Sequence, residues 1–176
     1  MGVKGWTEMK LVDKDGNAKP LFQVNGLWKL AKRLFGVDLK IPVLFGFWTF
    51  DPIKMNTVTD VGKKISADQV GGTTTAPVTA IAIGIGTASA TALGSEIVTA
   101  GGERGAATVT NQTTTTTGDT ERWVKTFTFT GSFAITEEGL FDNNTSGGNM
   151  LASQSFSAVN VVSSDSFQVT HNVKYA

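Results

Sequence analysis

Residues 123–156, WVKTFTFTGSFAITEEGLFDNNTSGGNMLASQSF, decide how the chain folds. Phe127, Phe129, Phe133 and Ile135 stand at odd positions, with Thr126, Thr128 and Thr130 among them. Side chains alternate across a strand, so this period of two places the phenylalanines on one face and the threonines on the other. The segment then crosses Glu137-Glu138-Gly139-Leu140-Phe141-Asp142, turns over Asn143 to Asn149 and resumes at Met150. Two apolar segments joined by an Asn/Gly-rich loop predict a β-hairpin or a pair of neighbouring strands. Everything after Val78 is patterned to pack against this unit.

Downstream, Phe167, Val169, His171, Val173 and Tyr175 share one face of a final strand, against Gln168, Thr170, Asn172 and Lys174. Upstream, Val78 to Gly84 is rich in β-branched and small residues and suits a central strand. A further strand is expected over Ala107 to Thr115, turning at Gly118-Asp119 into a strand from Trp123 to Phe133. Thr is a good strand former on a half-exposed face.

The amino-terminal part reads differently. Met9 to Val12 and Leu21 to Val24 flank an Asp13-Lys14-Asp15-Gly16-Asn17 turn and predict a small hairpin. The Asp13, Asp15, Asn17 spacing opens like a calcium loop, but Gly falls at the fourth position and Val24 occupies the twelfth, so a plain turn is expected. Leu27, Leu30, Ala31, Leu34 and Phe35 recur at helical spacing opposite Lys29, Lys32 and Arg33, with Gly36 placed to stop a helix. This basic amphipathic helix could lie on a membrane or dock into a groove on a partner subunit; too short to hold alone in water, it is expected to dock or to pack on the body. Ile41 to Phe50, IPVLFGFWTF, is the most apolar stretch in the chain, and a stretch this apolar must be buried in a core or an interface. Residues 54–77 read as one short helical or irregular piece closing at Gly71-Gly72, the expected boundary between arm and body.

The totals fit one ordinary domain, or a smaller one with an arm: 176 residues, 40% hydrophobic, 17% charged and 20 glycines. Net charge is zero, so no global field points to nucleic acid or a membrane. The zero divides unevenly. Residues 1–72 hold eleven Lys/Arg against seven Asp/Glu, a net of +4, and residues 73–176 hold four against eight, a net of −4. A basic arm and an acidic body could attract one another between copies. With no cysteine, disulfides, thiolate zinc sites and cysteine nucleophiles are excluded. The first residues lack the apolar core of a signal peptide, and no apolar run reaches the length of a membrane span.

Little in the sequence reads as catalytic. The one histidine, His171, lies on an apolar face without a second His, a poor metal-ligand set, and a packed histidine with one hydrogen-bond partner is expected. No GxSxG occurs, and Gly84-Ile85-Gly86 lacks the third glycine and the βαβ setting of a dinucleotide loop. Glu137 and Glu138, as adjacent strand residues, point to opposite faces and cannot flank one substrate as glycosidase carboxylates do. The expectation is a buried or interfacial acid that binds backbone amides, Arg104 or Arg122. Trp6, Trp28 and Trp48 lie in or near the arm, where an interface favours them.

Four segments then carry a likeness. Ala80-Ile81-Ala82-Ile83-Gly84-x-Gly86-Thr87, Thr91-Ala92-Leu93-Gly94-Ser95-Glu96-Ile97, Ile135-Thr136-Glu137-Glu138-Gly139-Leu140-Phe141-Asp142 and Met150-Leu151-Ala152 follow in this order. Together they resemble structural proteins of tailed bacteriophages. The region from about residue 78 to 176 is similar to tail-collar and tail-fibre amino-terminal domains and to small β-sandwich proteins of virions. A tail fibre would continue into a long shaft, whereas this chain stops at Ala176 and places an arm first. The resemblance therefore implies a virion, and the arm favours a head-decoration (cement) protein over a tail, neck or tail-fibre component.

The expected fold is all-β: a β-sandwich or jelly-roll body of about seven or eight strands over residues 76–176. It is preceded by an extended arm over residues 1–75 with one short amphipathic helix at about 27–35 and an apolar segment at 41–50. The expected function is non-enzymatic and structural, with no cofactor and no metal, in a virion assembled in the bacterial host cytoplasm. The partners are sister copies, with a homotrimer as first guess, and phage capsid or tail proteins; nucleic acid and membrane are not expected. The predicted interface is Leu27, Trp28, Leu30, Leu34, Phe35, Leu44, Phe45, Phe47, Trp48 and Phe50. On this reading, deleting residues 1–50 leaves a folded body that no longer assembles. The alternative is a tail or collar component binding a receptor or glycan, which would depend on exposed tryptophans, Trp123 among them, and Thr-rich loops.

Overall fold

The computed structural model describes residues 3–19, 21, 54–73 and 76–175. They form nine strands: β1 (Val3–Val12), β2 (Lys54–Val58), β3 (Ala80–Gly84), β4 (Gly105–Ala106), β5 (Thr108–Gln112), β6 (Thr120–Thr128), β7 (Phe133–Phe141), β8 (Met150–Val161) and β9 (Ser166–Tyr175). Among the described residues one helix, α1 (Asp60–Val70), joins them, and the fold is all-β.

Every strand pairing is antiparallel, in the order β4-β3-β7-β8-β2-β1-β9-β6-β5. β4 and β5 stand at opposite ends of that order, yet only Ala107 separates them in sequence. The Ala107 amide donates to the Thr79 carbonyl at 2.8 Å. One continuous segment thus pairs with β3 on one side and β6 on the other, and the sheet curls into a nearly closed barrel. Closure of this kind removes free strand edges.

The barrel is filled by the alternation visible in the sequence. Phe127 of β6 pairs with Phe167 of β9, and Ile135 of β7 with Val159 of β8; all four are buried. Ile81 and Ile83 of β3 join this core, while Ala80 and Ala82 face the other way and meet Phe141, Met150 and Leu93 in a smaller cluster. The outer cluster is covered by the loop that follows β3.

The expected single strand from Trp123 to Phe133 is two strands. β6 ends at Thr128, and the chain turns a corner in which the Phe129 amide donates to the Asp165 carbonyl at 3.0 Å and the Thr130 amide to the Ala100 carbonyl at 2.9 Å. The phenylalanine alternation continues through the corner because both strands bury the same kind of face; the hydrophobic period alone cannot show the break. β7 and β8 form the expected pair, joined across residues 142–149.

The division at residues 75 and 76 does not mark the edge of the sheet. β1 lies between β2 and β9 and pairs with β9 over all ten residues from Val3 to Val12. Met9 and Leu11 belong to the core. The Asp13 turn follows β1 as expected: the Asp13 carboxylate accepts from the amides of Asp15 and Asn17, each at 2.9 Å, and Val12 bridges to Ala18. α1 falls within the piece expected to close at Gly71. Thr59 caps it by accepting from the Gly62 amide at 2.8 Å, and Asp60 in the first turn suits the positive end of the helix dipole. Gly62 lets the helix lie against β8, since a Cβ there would sit 2.0 Å from the Leu151 carbonyl oxygen. The helix expected at 27–35, the apolar segment at 41–50 and all ten predicted interface residues lie outside the described residues.

Candidate functional site

The most elaborate side-chain chemistry gathers around two adjacent residues of β7. The register of β7 against β8 shifts between Ile135 and Glu137, an irregularity of the β-bulge kind. Its effect is that Thr136 and Glu137 both reach the loop outside the barrel, while Glu138 points inside.

On the outside, the Glu137 carboxylate fastens the loop over residues 85–96. Its Oε1 accepts from the amides of Gly86 at 3.0 Å and Ser95 at 2.8 Å, and its Oε2 from the amide of Gly94 at 2.8 Å. The Thr136 hydroxyl donates to the Gly86 carbonyl at 2.6 Å. The glycines permit this closeness: a Cβ on Gly84 would lie 2.3 Å from Glu137 Oε1, and one on Gly86 2.7 Å from the Ser95 nitrogen. Arg104 holds the end of the same loop. Its Nε donates to Glu96 at 2.9 Å, its Nη1 to the Gly147 carbonyl at 2.6 Å, and its guanidinium stacks 3.6 Å above the centre of the Phe141 ring.

On the inside, His171 of β9 and Glu138 face each other in the core, both fully buried. Nδ1–H of His171 points between the two carboxylate oxygens, 2.9 Å from each. The Thr7 hydroxyl donates to Glu138 Oε1 at 2.8 Å, and Asn56 of β2 meets His171 Nε2 with its side-chain amide. A hydroxyl, an imidazole and a carboxylate together invite comparison with a hydrolytic triad. In a triad the hydroxyl meets one ring nitrogen and the acid the other. Here both Thr7 and Glu138 lie at Nδ1, so the ring cannot carry a proton from one to the other. Burial closes the group to any substrate.

An open pocket of about 440 Å³ lies over the junction of β2 and β8, lined by Thr57, Ala88, Ser89, Ala90, Ser153, Gln154 and Ser155. Its wall is neutral and rich in hydroxyls. Those hydroxyls are partly engaged: Ser155 accepts from the Ala88 amide at 3.1 Å, and Ser89 accepts from the amides of Thr91 and Ala92.

The turn between β5 and β6 is fixed by a third carboxylate. Asp119 accepts from the amides of Thr114 and Thr115, each at 2.9 Å, and of Thr116 at 3.0 Å. Desolvation works against its ionised form, but the amides of Thr116, Thr114 and Thr115 and the Thr114 hydroxyl outweigh it and hold the pKa far below the usual carboxylate range.

Of the partners expected for the Glu137-Glu138 pair, which were backbone amides, Arg104 or Arg122, Glu137 takes the backbone amides. Arg104 serves Glu96, and Arg122 donates to the Asn172 side chain at 2.9 Å. His171 is packed as expected but has more than one partner. Trp123 is no sugar platform: it is 4% exposed, and its indole N–H donates to the Val78 carbonyl at 2.8 Å. Thr7, Asn56 and Gln154 were not singled out; the one signal was a polar residue standing in the inward phase of a strand.

Among the described residues no helix is long and apolar enough to cross a membrane, and no group of three or more His, Cys, Asp or Glu side chains could hold a metal. No family model, curated protein or solved structure matches the chain.

Proposed function

We propose that this chain is a non-enzymatic structural protein of a tailed-phage virion, a capsid decoration (cement) protein that stabilises the head through contacts between copies. One observation supports the reading above others. Three of the four segments of the resemblance meet at Glu137, and the fourth lies beside the third, Met150 pairing with Phe141 and Ala152 with Leu140. Glu137 belongs to the third segment, its carboxylate binds Gly86 of the first and Gly94-Ser95 of the second, and its backbone pairs across to Ser155, a few residues beyond the fourth. The segments thus belong to one physical unit, a loop clamped to a β-barrel wall, which is consistent with the reading.

In this role the barrel is a rigid block and the apolar Leu27 to Phe50 region supplies the adhesive surface. An interface of about 800 Å² per partner is standard for a stable protein contact. Repeated around a shell, such contacts stabilise a lattice that each alone would not. Immunogold labelling of particles produced with this chain tests the placement. Label over the head surface is the expected result. Label confined to the tail or neck would replace decoration by the collar reading, and particles free of the chain would remove the virion role.

A further inference from the structure

β2 runs beside β8 only briefly. Thr57 pairs with Ser153 and Val58 with Ala152. One step further along the same register Asn56 would stand opposite Gln154, but there the strands part: Asn56 pairs with Gly5 of β1, and Gln154 with Glu138 of β7. The wall forks at this point. Both side chains face the interior, since Asn56 reaches His171 and Gln154 is the cross-strand neighbour of Glu138.

Among the described residues the fork leaves buried polar atoms without a hydrogen-bond partner. They are Oδ1 of Asn56 and both Oε1 and Nε2 of Gln154, a residue only 6% exposed. A buried polar group without a partner is costly, and the great majority in folded proteins are satisfied by protein or by ordered water. Both residues border the same buried pair: Asn56 touches His171, and Gln154 stands across from Glu138 in the register of β7 and β8. Among the described residues Glu138 Oε1 receives Thr7 and His171, whereas Oε2 receives His171 alone and keeps lone-pair capacity.

We propose that this fork is a hydration site holding a pair of buried waters. The first accepts from Gln154 Nε2–H and donates to Asn56 Oδ1 and to the second water. The second donates to Gln154 Oε1 and to Glu138 Oε2. Each water then makes three hydrogen bonds, the usual number for a buried water. The three orphaned atoms are satisfied, and the buried carboxylate gains an additional donor, which a charge in a low-dielectric interior needs. The ligand class is set by the lining: neutral carboxamides beside an already paired acid suit a small molecule that both donates and accepts.

The test is water-selective cross-relaxation on the 15N-labelled full-length protein. The expected result is cross-peaks between long-lived water and the side-chain amide protons of both Gln154 and Asn56, with the Asn56 peak lost in Gln154→Met, which keeps the side chain's length while removing its polar atoms. Resolved Gln154 and Asn56 amide signals without water cross-peaks in the unaltered protein would overturn the proposal, whether or not the variant folds.

Discussion

Glu137 and Glu138 are neighbours in sequence and serve opposite sides of the barrel wall. Glu137 receives three backbone amides of the outer loop, and Glu138 receives His171 and Thr7 inside. Two consecutive carboxylates, each fully buried, thus fasten a surface loop and an interior polar row through one turn of backbone.

Removing the outer fastening should free the loop without dismantling the barrel. Glu137→Ala leaves three amides without their acceptor, and hydrogen bonds to a charged group are each worth about 1.5–3 kcal/mol. Some of the loss is recovered by water at the loosened loop, so a net destabilisation of about 3 kcal/mol is expected. Hydrogen exchange at Gly86, Gly94 and Ser95 should accelerate far more than exchange in β6 and β9. Uniform acceleration across the protein would show that Glu137 supports the whole barrel instead.

The inner pair should behave as a coupled unit. Glu138→Leu or His171→Leu alone strands a buried partner and should cost about 3–5 kcal/mol, whereas the double substitution should cost much less than the sum. Urea unfolding of the four proteins measures this directly. Additive losses would mean that the two side chains do not depend on each other.

Acid should act on the β5–β6 turn. The Asp119 pKa is depressed in the folded protein, so its stabilisation is present above the unfolded value of 3.8 and is lost as pH falls below it. Asp119→Asn should therefore melt below the parent at pH 6, and the gap should narrow steadily between about pH 4 and pH 2. A gap that stayed constant over that range would contradict the assignment.

Trp123 should matter for stability and not for sugar binding. Trp123→Phe keeps most of the apolar surface but loses the donor to the Val78 carbonyl, at an expected cost of about 1–2 kcal/mol. A parent protein that bound a glycan through this indole would instead lose that binding in Trp123→Phe with little change in melting temperature.

Much of the β architecture was legible because period-two alternation in β6, β7 and β9 encodes which face is buried. That Glu137 and Glu138 face opposite sides was legible too, from the rule that adjacent strand residues diverge, but which partners each takes was not. The barrel closure was not, because it depends on Ala107 letting one segment serve two partners, and β1 was legible only over Met9 to Val12, because Lys4, Glu8 and Lys10 on its outward phase make the whole read as an arm and not as a central strand. The inner row escaped notice since Thr7, Asn56 and Gln154 come from three strands far apart in sequence. The placement of β1 also changes the deletion test: removing residues 1–50 would take a central strand from the sheet, so loss of assembly after that deletion would say nothing of an adhesive surface.

The most direct measurement is therefore the solution mass, by light scattering, of the full-length protein beside a variant carrying Leu44→Ser, Phe45→Ser, Phe47→Ser and Trp48→Ser. A stable oligomer that becomes a monomer with unchanged β-type circular dichroism is the predicted result. A full-length chain that is monomeric throughout, or an oligomer indifferent to the four substitutions, would contradict self-assembly through this segment.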